Sequence, residues 1–358
     1  MKINIIIPSF SKVPSGGNKM MYEYANRLAA IGEDIMLYHA MSIPGLKPHR
    51  PAFYLYLKTV YWRHIKPNWF TLLKEVKVKS IFKINDRSIR DADITLFTQC
   101  TTAFSVSQLS KQKGARFNLI QGYETWIMED IDMLHKSYCL PVTNIAVSDF
   151  IAKKIREVTG IMPYILYNSI DLNDFHISSD IKARLPHSIS MLYSTLPAKG
   201  SQYGIEALRI CKKKNKNLRA TLFGVSDRPK GLDNWIIYIK SPDNLCYLYN
   251  STAIFVAPSL KEGWGLTATE AMACGCALVC TETEGLTVFA HNGETALTTC
   301  VGNAEALAEK IMLLINDNNE RIRIAKNGNE YIRQFNWDFA IKKLTDIFKN
   351  QAIYENQE

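Results

Sequence analysis

The stretch Ser259-Leu-Lys-Glu-Gly-Trp-Gly-Leu-Thr-Ala-Thr-Glu270 carries the strongest fold signal in this chain. The apolar run 253–257 before it predicts a buried strand, and the stretch 267–274 after it, rich in Ala and Met, predicts a helix. The turn between them contains two glycines and lies between the carboxylates of Glu262 and Glu270. Such a turn leaves backbone N–H groups without partners at the helix start.

Those N–H groups, together with the helix dipole, suit a phosphate group. The two flanking carboxylates would repel a phosphate, but they accept hydrogen bonds from hydroxyls. Phosphate and hydroxyls together describe a nucleotide sugar, which is the ligand that this segment predicts. Thr267 and Glu270 also fit a capping box, which would only stabilise the helix start. Glu262 has no capping role and favours the ligand-binding interpretation.

Length and composition predict two packed domains, because the chain has 358 residues of which 47% are hydrophobic. No stretch approaches the roughly 18 uninterrupted apolar residues of a membrane-spanning helix, and the apolar run 1–8 is too short for a signal peptide. A cytoplasmic protein is therefore expected. The eight cysteines show neither a disulfide framework nor zinc-site spacing, and the cluster of Cys274, Cys276 and Cys280 is expected to consist of buried free thiols.

Strands and helices alternate along the whole chain, which predicts an α/β fold with parallel sheets in both halves. Predicted strands cover residues 2–8, 34–38, 94–97, 118–121, 144–147, 164–166, 189–193, 219–223, 235–239, 254–257 and 277–280. Predicted helices cover residues 18–31, 102–110, 149–158, 202–213, 267–274, 304–315, 319–335 and 337–349. The polar stretch 168–188 is the expected linker, and a cleft between two facing domains would exclude water from a transfer reaction.

The opening of the chain predicts a second ligand-binding position. A turn is expected over Ser15-Gly16-Gly17-Asn18, between the first strand and the first helix. Ligands bind at the carboxyl ends of strands in open α/β sheets, and glycines allow close approach there. A dinucleotide-binding Gly-x-Gly-x-x-Gly motif is not present at this turn.

With these features the chain resembles the retaining glycosyltransferases of family 4, the glycosyl transferases of group 1. The matching features span almost the full length: Gly16–Gly17, Asn168-Ser-Ile-Asp171, Lys199-Gly200, the Glu262-x7-Glu270 segment with its Ala-Met-Ala-Cys-Gly continuation, and the last helix after Asn336. The resemblance implies the GT-B architecture, with an acceptor-binding Rossmann-like domain over 1–167 and a nucleotide-sugar-binding domain over 168–336. It also implies that the final helix, 337–350, returns to the first domain.

The resemblance implies a role for each matching residue. Glu270 would bind the ribose hydroxyls, Glu262 the transferred sugar, and Lys199 the diphosphate. Backbone groups near 238–240 would bind the base. The implied donor-binding residues are Gly16, Gly17, Lys199, Tyr238, Ile239, Lys240, Glu262, Gly263, Gly265, Leu266, Thr267 and Glu270. The implied catalytic residues are Glu262, Lys199 and Gln121.

Two positions depart from the family pattern. Ser194 stands where the family usually has a phosphate-binding Arg, and Lys240 or a basic residue in 228–230 is expected to replace it. Gln121 stands where the family often has a His near the reacting sugar. A glutamine cannot take a proton, which fits a retaining, front-face mechanism in which the leaving phosphate receives the acceptor proton.

The segment 47–90 carries eleven Lys and Arg against Glu75 and Asp86, a net charge of +9 that equals the charge of the whole chain. Tyr and Trp residues are interleaved with these cations, as is typical of proteins that contact anionic membranes. The alternative is a solvated basic face over an aromatic core. We expect an anionic membrane partner here, and a peripheral position on the inner face of the plasma membrane.

The function expected is the retaining transfer of a hexose or deoxyhexose from a nucleotide-diphosphate sugar. The acceptor would be a saccharide or lipid-linked saccharide in bacterial surface polysaccharide assembly, such as lipopolysaccharide O-antigen or capsule. No metal and no cofactor are expected. A nucleotide-sugar epimerase or phosphorylase of the same fold remains an alternative, separable by acceptor dependence. A basic binding module without catalysis would explain 47–90 but not the paired carboxylates, and a nucleic-acid partner is not expected.

Overall fold

The computed structural model describes residues 1–43 and 51–355, so Lys47 and Arg50 of the basic segment lie outside the described residues. The strands, in chain order, are β1 (Lys2–Pro8), β2 (Asp34–Ala40), β3 (Lys77–Ile81), β4 (Ile94–Thr98), β5 (Ala115–Ile120), β6 (Thr143–Ala146), β7 (Tyr164–Ile165), β8 (Ser188–Leu192), β9 (Arg219–Gly224), β10 (Ile236–Lys240), β11 (Ile254–Ala257), β12 (Ala277–Thr281) and β13 (Ala296–Thr299). The α-helices are α1 (Gly16–Ala30), α2 (Ala52–Tyr61), α3 (Cys100–Val106), α4 (Ile131–Tyr138), α5 (Asp149–Thr159), α6 (Ser201–Lys214), α7 (Leu245–Asn250), α8 (Leu266–Ala273), α9 (Ala304–Asn316), α10 (Asn318–Ile332) and α11 (Trp337–Glu355).

These elements form two compact units, each with its own parallel sheet. The first unit comprises Met1–Asn168 and the chain from Trp337 onward, and the second comprises Ser169–Asn336. Every strand pair in both sheets is parallel, which confirms the predicted α/β fold class. The near-continuous apolar strands fit this arrangement, because parallel sheets are covered by helices on both faces.

The sheet of the first unit has the strand order β3-β2-β1-β4-β5-β6-β7. The chain leaves β1 towards β2 on one side and resumes with β4 on the other, so β1 and β4 form the topological switch point. Ile5 of β1 accordingly lies between Leu37 of β2 and Leu96 of β4. Ligand sites in open α/β sheets lie at the carboxyl ends of such a strand pair.

The predicted Ser15–Asn18 turn is wrong, because Gly16 and Gly17 already belong to the first turn of α1. Ser15 is the N-cap, with an extended backbone, and its side chain accepts a hydrogen bond from the Asn18 N–H at 3.4 Å. A serine before two glycines can terminate a loop by capping a helix as readily as it can form a turn. The two glycines still lie just beyond the carboxyl end of β1.

The sheet of the second unit has the order β10-β9-β8-β11-β12-β13, with its switch point between β8 and β11. The loop after β8 contains Ser194 and Lys199, and the loop after β11 contains Glu262. The topology therefore places both predicted charged residues at the carboxyl edge of one strand pair.

The last helix, α11, contributes to the core of the first unit. Its first residue, Trp337, packs edge-to-face against Tyr24 of α1 with ring centroids 5.0 Å apart. Further along the helix, Phe348 packs against Phe117 of β5 at 4.8 Å. Both ends of the chain therefore build this unit.

Candidate active site

A close backbone contact positions the lysine of the second unit. Gly200 follows the short 3-10 helix Pro197–Lys199 and has a left-handed backbone with φ of 58°. A Cβ at Gly200 would lie 2.0 Å from the carbonyl oxygen of Pro258, so the two loops can approach only because this residue is glycine. The Ala198 carbonyl reinforces the contact by accepting hydrogen bonds from the N–H groups of Leu260 and Lys261 at 2.7 and 3.1 Å.

This contact brings Lys199 and Glu262 together across 63 residues of sequence. The Lys199 ammonium donates to Glu262 Oε1 at 2.6 Å, and the Ser259 hydroxyl donates to the same oxygen at 2.9 Å. Side chains at this pair remain partly accessible, 30% for the lysine and 12% for the glutamate. The second unit thus holds a cation and a carboxylate in fixed geometry at the carboxyl edge of its sheet.

The start of α8 lies directly after this pair. Gly265 is the N-cap, with φ of 105°, and a Cβ there would lie 2.4 Å from Leu286. Thr267 is the second residue of the helix, so the capping-box alternative for Thr267 and Glu270 is wrong; no side-chain hydrogen bond caps this helix. Trp264 is buried between Phe289 and Phe335, which anchors the turn in the core. The first N–H groups of α8 lack intrahelical partners, as at any helix start, and suit an anion.

Glu270 lies one turn into α8 and is only 5% exposed. One of its partners is Tyr249 of α7, whose hydroxyl donates to Glu270 Oε2 at 3.3 Å. Burial first, and then the charge of Glu270, raise the pKa of the Tyr249 phenol well above its usual value. The phenol therefore stays protonated as a donor, which fixes one carboxylate oxygen.

The predicted base-binding residues lie on β10, at the edge of the same sheet. The Tyr238 hydroxyl donates to the Ser226 carbonyl at 2.6 Å, and its ring packs edge-to-face against Tyr193. Lys240 forms an exposed ion pair with Asp227 at 2.7 Å. Tyr238 and Lys240 therefore bind the loop after β9, while Ile239 is half-buried between them.

One candidate to replace the missing phosphate-binding arginine, Arg228, is engaged within its own loop, whereas Lys230 is exposed. The Arg228 guanidinium donates to the carbonyls of Leu232, Asp233 and Ile236, so it stabilises its own loop. Ser194, at the position of the missing arginine, is held by a reciprocal pair of 3.0 Å hydrogen bonds with Ser201.

The first unit brings Gln121 and Gly17 together. Gln121 Nε2 donates to the Gly17 carbonyl and to the Thr98 hydroxyl oxygen, both at 3.1 Å. A carbonyl can only accept, so this contact fixes which end of the amide faces Gly17. A Cβ at Gly17 would lie 3.6 Å from this amide, which is an ordinary contact, so the protein neighbours of Gly17 do not require a glycine there. Gln121 thus connects the start of α1 to the end of β4.

Glu124, three residues further, is a buried carboxylate with a backbone partner. It is 7% exposed and accepts a hydrogen bond from the Cys100 N–H at the start of α3, at 2.6 Å. Burial raises the pKa of Glu124 to about 7, and the Cys100 hydrogen bonds oppose this shift. Gln99, the residue before Cys100, has a left-handed φ of 78°. Glu124 therefore holds a strained turn at the carboxyl end of β4.

Sequence reasoning missed four residues at these sites: Thr98, Glu124, Tyr249 and Ser259. Ser259 lies inside the quoted segment, three residues before Glu262, and this spacing was the only available signal. The others contact their partners from distant parts of the chain, as Tyr249 does across 21 residues.

Three aspartates that could be considered as metal ligands have protein partners in this structure. The expectation of no metal assumed that the sequence has no Asp-x-Asp motif, but it contains two such pairs, at 91/93 and 130/132. Asp91 pairs with Lys113 at 2.7 Å, Asp93 accepts from the Lys2 N–H, and Asp130 caps α4. Within residues 1–43 and 51–355, no group of three or more His, Cys, Asp or Glu side chains is placed to hold a metal ion.

Comparisons with known proteins identify similar sequences and similar structures. The sequence model of the family "Glycosyl transferases group 1" matches residues 188–331. A capsular polysaccharide biosynthesis glycosyltransferase, CapM of Staphylococcus aureus, is 24% identical over 268 residues, which cover 69% of this chain and 67% of that protein. The chain spans about half the length of the first curated relatives it matches, between 42% and 58%.

Solved structures share the fold over nearly the whole chain. Sucrose-phosphate synthase from Thermosynechococcus elongatus superposes with a TM-score of 0.76 at 16% identity, covering 98% of this chain and 99% of that one. Anabaena HepE in complex with UDP superposes with a TM-score of 0.74 at 15% identity, covering 98% and 100%. These likenesses confirm the GT-B fold class. Through residues 188–331, in its second unit, the chain is similar in sequence to the glycosyl transferases of group 1.

Proposed function

We propose that this protein is a retaining glycosyltransferase that uses a nucleotide-diphosphate sugar. The observation that carries the proposal is the Lys199–Glu262 pair beside the start of α8, at the switch point of the second sheet. A cation and helix-start amides suit a diphosphate, and the two carboxylates suit sugar hydroxyls. The UDP complex of HepE, which has the same fold, supports this class of ligand.

In the proposed reaction, the bond between the anomeric carbon and the leaving phosphate oxygen breaks. The acceptor oxygen bonds to the same face of that carbon, and its proton passes to the leaving phosphate. Lys199 and the α8 amides stabilise the charge that develops on the phosphate. Glu262 orients the transferred sugar and Glu270 the ribose. Gln121 donates its amide hydrogens to Gly17 and Thr98, so its oxygen is the end that could orient an acceptor hydroxyl.

The acceptor is proposed to be a lipid-linked saccharide in surface polysaccharide assembly, and the transferred sugar a hexose or deoxyhexose. The role of CapM in capsular polysaccharide biosynthesis supports this assignment. Enzyme and lipid-linked acceptor would meet at the inner face of the membrane, with the basic segment 47–90 towards the lipid. Within the described residues, no helix has the length and hydrophobicity needed to cross a bilayer.

The donor site is tested by replacing Glu270. Glu270→Ala is expected to weaken nucleoside diphosphate binding by roughly 1.5–3 kcal/mol, because hydrogen bonds to a charged group are lost. Glu270→Gln keeps the shape and the Tyr249 contact and should lose less. Thermal-shift titration against a panel of nucleoside diphosphates measures both variants and ranks the bases. Wild-type affinity in both variants would show that Glu270 serves the fold alone.

A further inference from the structure

Helix α2 presents an apolar stripe to solvent. Residues 53, 56, 57, 60 and 61 follow the i, i+3, i+4, i+7, i+8 spacing of a single helix face. All five are large and exposed, from 49% for Leu57 to 85% for Tyr61. In a helix that packs on its own core, this face would be buried. Here only Thr59, on the opposite side, is buried.

The stripe differs from the other aromatic residues of the basic segment. Trp69 and Phe70 pack against the buried Tyr22 of α1, with centroids 5.5 and 5.4 Å away, as the aromatic-core alternative predicts. Among the residues that the structure describes, the α2 stripe has no such aromatic cover apart from an edge contact between Tyr56 and Phe82. A continuous exposed apolar patch of this kind marks an interaction surface rather than ordinary surface.

The charges around α2 favour an anionic partner. Residues 35–74 contain no Asp or Glu but include the cations Lys47, Arg50, Lys58, Arg63, Lys66 and Lys74. Among those described, the Lys58 ammonium lies 4.1 Å from the centre of the Trp62 ring at the end of the helix. Arg63 follows immediately and is exposed. An apolar stripe flanked by cations and free of carboxylates is complementary to an anionic lipid surface.

The lysines of β3 are less available for such a surface. Lys77 pairs with Asp34 of the neighbouring strand at 3.2 Å, and Lys79 donates to the Ser88 carbonyl at 3.3 Å. The β3 lysines are therefore engaged by the fold, whereas the stripe of α2 and the following Arg63 are exposed.

We propose that α2 is an in-plane membrane helix, whose stripe 53/56/57/60/61 inserts at the headgroup boundary of an anionic bilayer. Lys58 and Arg63 then contact the lipid phosphates, and the Tyr rings lie at the headgroup level. This inference specifies the membrane-facing part of the proposed function. It does not depend on sugar transfer, since vesicle binding belongs to the first unit and nucleotide binding to the second.

The test compares two double variants of the full chain. Phe53→Ser with Tyr61→Ser removes the two most exposed residues of the stripe. Ile161→Ser with Met162→Ser removes two residues of the same unit that are 73% and 53% exposed outside α2. Binding is measured by flotation with phosphatidylcholine vesicles, with and without phosphatidylglycerol. Circular dichroism and UDP-induced thermal shift verify that each variant is folded.

We expect the wild-type protein and the Ile161/Met162 variant to bind the anionic vesicles equally. The α2 variant should partition at least about tenfold less, because two apolar side chains are no longer buried. Residual binding of the wild-type protein should persist in high salt, since salt screens charges but not apolar insertion. Three outcomes would overturn the proposal: no vesicle binding by the wild-type protein, equal loss in both variants, or a wild-type dimer that the α2 variant abolishes. The last would show that a second copy covers the stripe. Failure of UDP binding alone would count against the proposed function and leave this inference standing.

Discussion

The two units differ in whether the charged side chains at the carboxyl edge of the sheet are accessible to solvent. In the second unit, Lys199 and Glu262 pair on loops that remain partly accessible. In the first, the predicted residue is the neutral Gln121, and the nearby carboxylate of Glu124 is buried against a backbone N–H. The accessible charge of Lys199 is available for a charged ligand, whereas the buried carboxylate of Glu124 shapes its own turn. The difference teaches that an accessible ion pair at a strand end is the stronger indication of a charged ligand.

Substitution at Gly200, in the loop that carries Lys199, should have the largest effect on stability. Gly200→Ala should destabilise the second unit by at least about 4 kcal/mol, because the new Cβ meets the Pro258 carbonyl and the backbone has positive φ. Gly231→Ala is the matched control, since its φ is 75° but its Cβ would meet no atom within 4 Å in the described part of the chain. That control should cost only about 1–2 kcal/mol. Urea unfolding measures both variants, and equal losses would show that the loop contact is unimportant.

The stability that Glu124 contributes to the first unit should depend on pH. The folded pKa of Glu124, about 7, exceeds its ordinary value of 4.5, so between these values the folded state keeps a proton that the unfolded state loses. The stability from this group is therefore full below pH 4.5 and is lost as the pH rises through 7. The shift corresponds to a change on the order of 3 kcal/mol.

Glu124→Gln removes this titration, so the melting temperature of the wild-type protein should fall relative to the variant between pH 4.5 and 7.5. Burial also lowers the pKa of His39 to about 4, which makes the protein lose stability as the pH falls from 6.5 towards 4. Both proteins share His39, so the difference between them isolates Glu124. A constant difference across this range would show that Glu124 is ionised throughout.

How far the sequence predicts this molecule depends on the kind of signal. Apolar runs such as Ile254–Ala257 predicted their strands to the residue, because parallel strands are buried on both faces. The strand Lys77–Ile81 was missed, since its alternating lysines hide a short edge strand. Helix α2 was missed because nearly all of its residues are aromatic or apolar, so the sequence does not show a polar face opposite an apolar one. The helices α4 and α7, and the strand β13, are too short for a periodic signal.

Site residues divide in the same way. The segment around Glu262 combines glycines, charges and a strand-to-helix transition in one place, and each of these is visible in the sequence. Pairings such as Lys199 with Glu262, or Gln121 with Gly17, join residues 63 and 104 positions apart. Whether such residues meet in space depends on the order of the strands in the sheet, which the sequence does not specify residue by residue.

Removing the accessible cation should have a smaller, ligand-specific effect. Lys199→Met should weaken UDP binding about tenfold, because a charge-assisted hydrogen bond is lost. Lys113→Met, in the first unit, removes an ion pair of similar length whose lysine is buried, and it should lower stability without changing UDP affinity. Isothermal titration with UDP distinguishes the two. Equal UDP affinity in wild type and Lys199→Met would show that the accessible lysine of the second unit does not bind the ligand.

The smallest expected effect is that of chelation. We expect sugar transfer to survive EDTA, because Lys199 and the α8 amides are proposed to meet the phosphate charge without a metal ion. Product formation is measured with and without EDTA and then with added magnesium or manganese. Loss of transfer that either ion restores would show that the second site binds its donor through a metal.

Helix α11 has a consequence for the order in which the protein matures on the ribosome. The second unit is one continuous stretch, whereas the first needs the last helix of the chain, which packs Trp337 on Tyr24 and Phe348 on Phe117. Domains commonly complete folding from the N-terminus during synthesis. Here the unit that is translated first must wait for α11, with part of its core uncovered, while the second unit can already be folded. A nascent chain stalled before Trp337 should therefore bind UDP while its N-terminal part remains sensitive to protease.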